Sequence, residues 1–543
     1  MSELPNQPFT TEDFSLKGGG IDFLGLRWVN LTIVGRDLLP ELNNQTNDMG
    51  TFFLGGWIPW KFRQLCNSEK DYTEKNFKTF REKVEVAFSL ALRDELEIDR
   101  PCGPVRNRVG ITQKCLLPSA LGFKAAKRNE QNSLYAAAIY GPILSAFGFV
   151  KTYNSQAREG AKPLKITVAG DDSDTMEIMK GVDQSLKQAT AYKSLASLDS
   201  PEFSQKEICK LAEAGLDTAR FRHSDYRSLQ ACFRRKLLPR DPAAPGYSRT
   251  LTTRLLLATL KQRDQLSAEK VREAWYTGMF EGGKRLRLTD PELADHAQRW
   301  SCFLARQHQR YAIELFLWCF EDAISKDNHS IDAIVKYWTD RTKSAGINLG
   351  GTFQQLAKEQ AGSLFQADEI ATSQAWNQQV NVDDDRFEYV EDPKDDQAVI
   401  HGLRMFAGWY WRMLVRQQDE KNKLYLALGD ADRMSMNWFI KWLTERKNLP
   451  LQDLLKDIFS DLVFSQHMRV ALSRFDGNAQ RLRFLIGDNG IEPTLKAREE
   501  MGELYLPWMS DRLDTLTSLL CDCKVLTTKD DMFQIGPSAR ELE

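Results

Sequence analysis

A chain of 543 residues with 42% hydrophobic, 10% aromatic and 27% charged side chains falls in the range of folded globular proteins, which excludes a fibrous or disordered polymer. Its length exceeds one ordinary core and, at roughly 150 residues per domain, points to about three to four domains or subdomains. Lys and Arg total 73 against 75 Asp and Glu, a net charge of -2, so no whole-molecule field draws the chain to nucleic acid or an anionic membrane, and any such attraction has to be local.

The N-terminal MSELPNQPFTTEDF has no basic segment followed by an apolar one, so no secretory signal is expected. In residues 38–62, LLPELNNQTNDMGTFFLGGWIPWKF, Asn47 or Asp48 can cap a helix whose apolar side carries Phe52, Phe53, Ile58 and Phe62. Gly55 and Gly56 would let a neighbouring backbone approach, and Pro59 would kink the helix or open a second turn. The stretch reads as a structural joint rather than a reactive loop. Residues 131–150, QNSLYAAAIYGPILSAFGFV, carry no charge but hold Pro142 and two glycines, which predicts a buried helix rather than a membrane span.

Further along, Ser200-Pro201-Glu202 and Asp290-Pro291-Glu292 each place a capping side chain before a proline and an acid, the pattern of a helix start. Apolar residues at three- and four-residue spacing in QKEICKLAEAG, AEKVREAWYTGMF, ELADHAQRWSCFLARQHQRYAIELFLWCFEDAI and MNWFIKWLTERKNLPLQDLLKDIFSDLV predict a mainly helical middle. Strand-like runs are short: 163–171, 423–430, 481–488 and 523–537. The first and last follow an apolar helix and return through a polar turn, the pattern of the tail of a winged helix-turn-helix or of any helix packed on a hairpin. Residues 381–396, with eight acids and two bases, cannot be core and mark a solvated boundary. No repeat occurs at solenoid periods.

The expected fold class is therefore mainly α with short β-hairpins, multidomain, with winged-helix-like modules near 130–171 and in the C-terminal region. Residues 1–175 would form an N-terminal helical domain ending in such a hairpin, 176–380 a central helical domain, 381–396 an acidic linker, and 397–543 a C-terminal domain.

Catalytic patterns are weak. GMFEGGKR at 278–285 satisfies G-x-x-x-x-G-K, but Arg285 stands where a Ser or Thr should bind magnesium and a helical pattern precedes it, so it reads as an inter-helix loop. The nine cysteines (66, 102, 115, 209, 232, 302, 319, 521, 523) include no CxxC pair and are expected as reduced, mostly buried thiols of a cytoplasmic protein. The six histidines offer no HExxH, and His296 and His308 lie about three helical turns apart, too far to share a metal. Asp430, Asp432, Glu445 and Lys447 could form a metal-dependent nuclease centre, yet the periodicity of NWFIKWLTERKN puts its E-x-K on a helix. Asp171, Asp172 and Asp174 read as a turn and helix cap. No catalytic residue, metal ligand or cofactor is expected.

Local charge says more. Residues 100–129 hold seven bases and no acid, among them Arg106, Arg108, Lys114, Lys127 and Arg128. Residues 220–254 hold nine bases against Asp225 and Asp241, including Arg222, Arg227, Arg234, Arg235 and Lys236, interleaved with Phe221, Tyr226, Phe233 and Tyr247. Bases among aromatics suit phosphate contact with base stacking. Neutralisation of acids elsewhere in the chain is the competing use.

GIDFLGLRWVNLTIVGRDLLPELNNQTNDMGTFFLGGWIPWKF (20–62) resembles the opening of uncharacterised bacterial proteins found among anti-phage defence genes, which carry LGL, LLPG, a T-N-x-T run and an aromatic-rich helix. This chain has Glu41 where that pattern has glycine, and Gly50 where it has a base. The resemblance implies a non-catalytic accessory subunit of a multi-gene system, as in the Druantia type, with other defence proteins and DNA or RNA as partners and no membrane. A metal-dependent nuclease and a pure protein scaffold are the alternatives.

Overall fold

In the computed structural model of the chain, residues 22–43, 46–68, 71–91, 120–122, 141–154, 165–189, 191–198, 202–204, 211, 226–280, 284–344, 349–361, 398–417, 422–429, 433–473, 482–494 and 510–542 are described. They are mainly helical, and their strands pair in four separate two-stranded antiparallel sheets, which is the expected class. Contacts divide the chain into two units, each assembled from segments distant in sequence: Leu39–Gln265 with Asp511–Glu543, and Gly20–Leu38 with Leu266–Ser510. The expected boundaries at 175 and 380 fall inside these units, and the acidic linker 381–396 lies outside the described residues.

The first unit is organised on the helix Met49–Leu65. Asp48, in extended backbone, caps it: one carboxylate oxygen accepts from the Thr51 amide at 2.9 Å and the other from the Thr51 hydroxyl at 2.7 Å. Every residue from Met49 through Phe62 is buried, and the helix runs on through Pro59. A Cβ at Gly55 would lie 2.5 Å from Leu144 and one at Gly56 2.7 Å from Met179, so the glycines admit neighbouring side chains, not a second backbone. Phe52 gathers Phe147, Phe149 and Phe233 at ring separations of 5.0, 5.7 and 5.1 Å. The Met49 amide, left over at the helix start, donates to Asp522 at 2.9 Å. Burial, together with the Asp522 carboxylate, pushes the Asp48 carboxyl up to about 6 against the pull of its Thr51 hydrogen bonds.

Two places in this unit solve the same local problem in the same way. The helix Gly141–Ala146 ends on Gly148 at φ 70°, and Leu513–Asp522 ends near Lys524 at φ 60°. In each, the left-handed residue donates its amide to a carbonyl three back (Ser145, 2.9 Å; Cys521, 3.1 Å) and the next amide reaches five back (Leu144, 2.8 Å; Leu520, 2.9 Å). This closing turn satisfies carbonyls that a helix end leaves open. A hairpin follows, Val150–Asn154 with Lys165–Ala169 and Leu526–Lys529 with Met532–Ile535. Each return strand ends in a glycine whose amide donates back across the pair, Gly170 to Phe149 at 2.9 Å and Gly536 to Val525 at 2.8 Å. A Cβ there would meet the left-handed residue's carbonyl oxygen at 1.8 Å in the first copy and 2.4 Å in the second, so only glycine fits. The hairpins expected over 163–171 and 523–537 are thus present as strands, each behind its helix.

Two local expectations are corrected. KLYLALGD at 423–430 is not a strand, since Lys423–Ala427 is helical; its apolar alternation is that of a one-turn helix with Tyr425 and Leu426 inward. Glu202 does not follow Pro201 into a helix but opens the short strand Glu202–Ser204, paired with Ala120–Gly122. Tertiary pairing there overrides a local start signal.

In the second unit the helix Pro291–Ser325 is the axis. Asp290 caps it, accepting from the amides of Glu292 at 2.9 Å and Leu293 at 3.5 Å, with Pro291 in the first turn. All residues from Trp300 through Glu321 are buried, polar ones included. Many of those polar groups bond to one another or to the backbone, although the Arg306 Nε has no hydrogen-bond partner among the described residues. Arg306 donates to the carbonyl of Arg433 and to Gln309, both at 2.6 Å, and to that of Met434. Arg310 and Arg27 share Glu314 at 2.6 and 3.1 Å, and Asn30 donates to Gln307 at 2.8 Å. Glu321 holds Arg483 two-pronged, both bonds at 2.7 Å, which fastens the strand Phe484–Gly487 to the axis. Of GMFEGGKR, residues 278–280 and 284–285 lie between the helix Ala268–Thr277, closed by Gly278 at φ 76°, and this axis, outside either helix, while 281–283 lie outside the described residues.

Replacement of Gly170 by Ala is expected to cost about 3 kcal/mol or more, because the obstacle is backbone and cannot turn aside. Lys524→Gly, which relieves a left-handed side chain, should be neutral or stabilising by up to about 1 kcal/mol. Denaturant unfolding measures both. The Asp48 carboxyl sits above its unfolded value, so its contribution is full below about pH 4 and is lost as pH rises through about 6. Relative to Asp48→Asn, which keeps an acceptor for the cap and cannot titrate, the native protein should gain on the order of 2–3 kcal/mol between pH 7 and pH 4. Equal pH slopes for the two proteins would contradict this placement of the charge.

Candidate nucleic-acid interface

The amphipathic helix Arg227–Leu237 carries four of the ten residues expected to contact phosphate. Its inner side, Leu229, Cys232, Phe233 and Leu237, is buried, with Leu229 seated on Gly181 of the helix Ser173–Leu186, where a Cβ would come within 2.6 Å. Its last turn then directs three consecutive bases to three different surroundings.

Arg234 is buried and bonds Glu541 in the C-terminal turn Pro537–Leu542. Arg235 is exposed and grips Asp174, with Nε 3.1 Å from Oδ2 and Nη2 2.5 Å from Oδ1. Lys236 points back under the first hairpin module, 2.8 Å from Asp172 and 3.1 Å from the Phe147 carbonyl, with Phe149 beneath it at 5.2 Å. Lys151, on the first hairpin, bonds Asp171. Asp172 also caps its own helix, accepting from the Thr175 amide at 2.9 Å. Burial works against ionisation of Asp172, but Lys236 and Thr175 outweigh it and hold the carboxyl below its ordinary range. Asp174 raises the pKa of Arg235 by the hydrogen bonds and charge it supplies.

Arg227 is exposed at the helix start, and Arg240, also exposed, donates to the Glu541 carbonyl at 2.9 Å. Arg106, Arg108, Lys114, Lys127, Arg128 and Arg222 lie outside the described residues. Arg249, from the same basic segment, is buried against Glu41 at 2.5 Å and the carbonyls of Pro40 and Leu237, both at 2.9 Å, over the Phe147 ring. Glu41, where the resembling pattern has glycine, is left-handed in this chain at φ 63°, and its side chain serves Arg249.

A second charged cluster lies beside the Met49–Leu65 helix. Asp183, buried beside the Met49–Leu65 helix, accepts from Tyr192 at 2.7 Å and Trp57 at 3.2 Å and pairs with Lys61 at 3.2 Å and Lys187 at 2.9 Å. Lys61 in turn donates to the Tyr192 hydroxyl at 2.6 Å. Asp183 and Lys187 stand four apart at the end of one helix, a spacing readable in sequence, whereas Trp57, Lys61 and Tyr192 come from other segments and carry no local signal.

For the nuclease alternative, Glu445 lies on the helix Met436–Arg446 with Lys447 at its end, and Glu445 neighbours Lys441 and Arg446 at 4.0 and 3.7 Å. Asp430 and Asp432 lie outside the described residues. Among the described residues no group of three or more His, Cys, Asp or Glu is placed to hold a metal. His467 is buried between the Phe23 carbonyl and the Arg483 amide, at 3.2 and 3.0 Å, and burial pushes it down to about 4. Among the described residues no helix is long and apolar enough to cross a membrane. Comparison of the chain with family models, with curated proteins and with solved structures returns no match.

Arg234 and Arg235 should separate cleanly on mutation. Arg234→Ala removes a buried tie but leaves a carboxylate that can return to water, a loss of about 1–2 kcal/mol. Arg235→Ala breaks a pair open to solvent and should stay within about 0.5 kcal/mol of the native protein. Urea unfolding of the two variants distinguishes them.

Proposed function

We propose that this protein is a cytoplasmic, non-catalytic accessory subunit of a bacterial anti-phage defence assembly, contacting nucleic acid through the outer side of the Arg227–Leu237 helix and partner proteins elsewhere. The observation that carries the nucleic-acid part is the exposure of Arg227, Arg235 and Arg240 on and beside a helix whose inner side is anchored in the core. Guanidinium groups on a rigid support bind phosphate without first having to be ordered. The defence setting rests on the resemblance over 20–62.

The two helix–hairpin modules are read as winged-helix-like supports for that surface, not as groove readers. Most of Leu513–Asp522 is buried, and the tip of its hairpin is Asp530-Asp531, both exposed. Carboxylates at a wing tip repel a phosphate backbone. Contact is therefore assigned to the basic helix and not to the second wing.

Fluorescence anisotropy with labelled duplex and single-stranded DNA over a salt series tests the reading. Native protein should bind with an affinity that falls steeply with salt, and the double variant Arg227→Ala/Arg235→Ala should lose about tenfold and flatten the salt slope by about one to two. These two positions make a better control than Arg234 or Lys236, whose removal disturbs the fold. Binding that ignores the variant would move the contact elsewhere, and no binding at any salt would leave protein partners as the whole function.

A further inference from the structure

We infer that Asp174 and Glu541 form an internal phosphate mimic over the basic end of the Arg227–Leu237 helix, so that nucleic acid binds by displacing them. The inference rests on the reading above, in which this helix end meets phosphate.

The two acids arrive from separate segments. Asp174 stands in the first turn of the helix Ser173–Leu186, and Glu541 in the C-terminal turn Pro537–Leu542. That turn is fixed by Ala539, which is buried, and by the Ser538 amide donating to the Lys524 carbonyl at 3.0 Å. Glu541 is thereby delivered to Arg234 while its own side chain keeps 58% of its exposure. Asp174 meets Arg235 across the guanidinium edge, through Nε and Nη2. That edge is the one a phosphate takes in a two-pronged contact.

The neighbouring acids differ in kind. Asp172 is committed to the Thr175 cap and to Lys236, whose side chain is largely buried; Asp171 faces Lys151 on the hairpin. Asp174 and Glu541 cap nothing, and Arg235 is exposed. The Arg235–Asp174 pair is open to water and contributes little net free energy, so exchanging that carboxylate for phosphate oxygens costs little. Glu541, tied to the buried Arg234, is displaced at a higher cost, and the presence of both carboxylates weakens binding to every sequence alike. A device of this kind keeps a basic helix from holding nucleic acid indiscriminately.

The test is anisotropy of the full chain with labelled duplex and single-stranded DNA at fixed salt, comparing native protein, Asp174→Asn/Glu541→Gln, and that variant with Arg235→Ala added. Asp530→Asn/Asp531→Asn makes the same change of net charge at the second hairpin tip. The mimic predicts affinity about three- to thirty-fold above native for Asp174→Asn/Glu541→Gln, loss of the gain on adding Arg235→Ala, and little change for the hairpin-tip control. Native binding that the variant does not tighten overturns the mimic and leaves the proposed contact standing. A gain that Arg235→Ala leaves intact, or that the control reproduces, also overturns it. If folded native and variant proteins, checked by thermal melting, both fail to bind, the proposed contact falls and the mimic with it. Asp174→Asn alone, expected to give part of the gain, serves if the double variant does not fold.

Discussion

A buried guanidinium has to be given acceptors, and much of this structure follows from meeting that demand. Removing a cation from water costs several kcal/mol unless charge and hydrogen bonds replace the solvent. In the first unit Arg249 draws in Glu41 and the carbonyls of Pro40 and Leu237, so one side chain joins a loop, a helix end and its own helix. In the second, Arg306 takes two consecutive carbonyls at Arg433 and Met434, the latter in the left-handed region at φ 49°. Arg310, Arg27 and Glu314 form a matched group along the same helix, and Glu321 with Arg483 another. Most of these ties join segments far apart in the sequence.

The same demand decides what the basic segment 220–254 can do. Its bases include two, Arg234 and Arg249, that are buried and bonded inward, and Lys236 is held beneath a hairpin. Their charge neutralises carboxylates of the chain. What is left for solvent is a smaller set, Arg227, Arg235 and Arg240, and this set defines any phosphate-binding surface on the described part of the segment. Neutralisation, one of the two uses that compete when the sequence is read alone, is served by Arg234, Arg249 and Lys236 and also by Arg235 through Asp174.

Backbone geometry supplies the second constraint. Both helix–hairpin modules end their helix in a left-handed residue and close the return strand with a glycine over its carbonyl. One module uses glycine at the left-handed position and the other lysine, and their strands are joined by connections of different length, ten residues against two. The resemblance is therefore in hydrogen bonding and not in residue identity, which is why no repeat is visible in the sequence while the shared setting of helix, strand and polar turn is.

The sequence by itself determined what is local. The caps at Asp48, Asp172 and Asp290 were legible because a side-chain oxygen and the amides it binds lie within three residues. The hairpins behind apolar helices, the inter-helix loop at 278–285 and the mainly helical class followed from periodicity and turn chemistry. A strand at 423–430 and a helix from Pro201 were misread because short segments take the form their neighbours impose. Only the tertiary structure decided which charges face inward and how the units are assembled from distant stretches. The partners of Arg235, Arg249 and Arg234 lie 61, 208 and 307 residues away. Electrostatic pairing acts through space and carries no fixed spacing along the chain, so a run of bases reads the same in sequence whether it meets its own carboxylates or another molecule's phosphates.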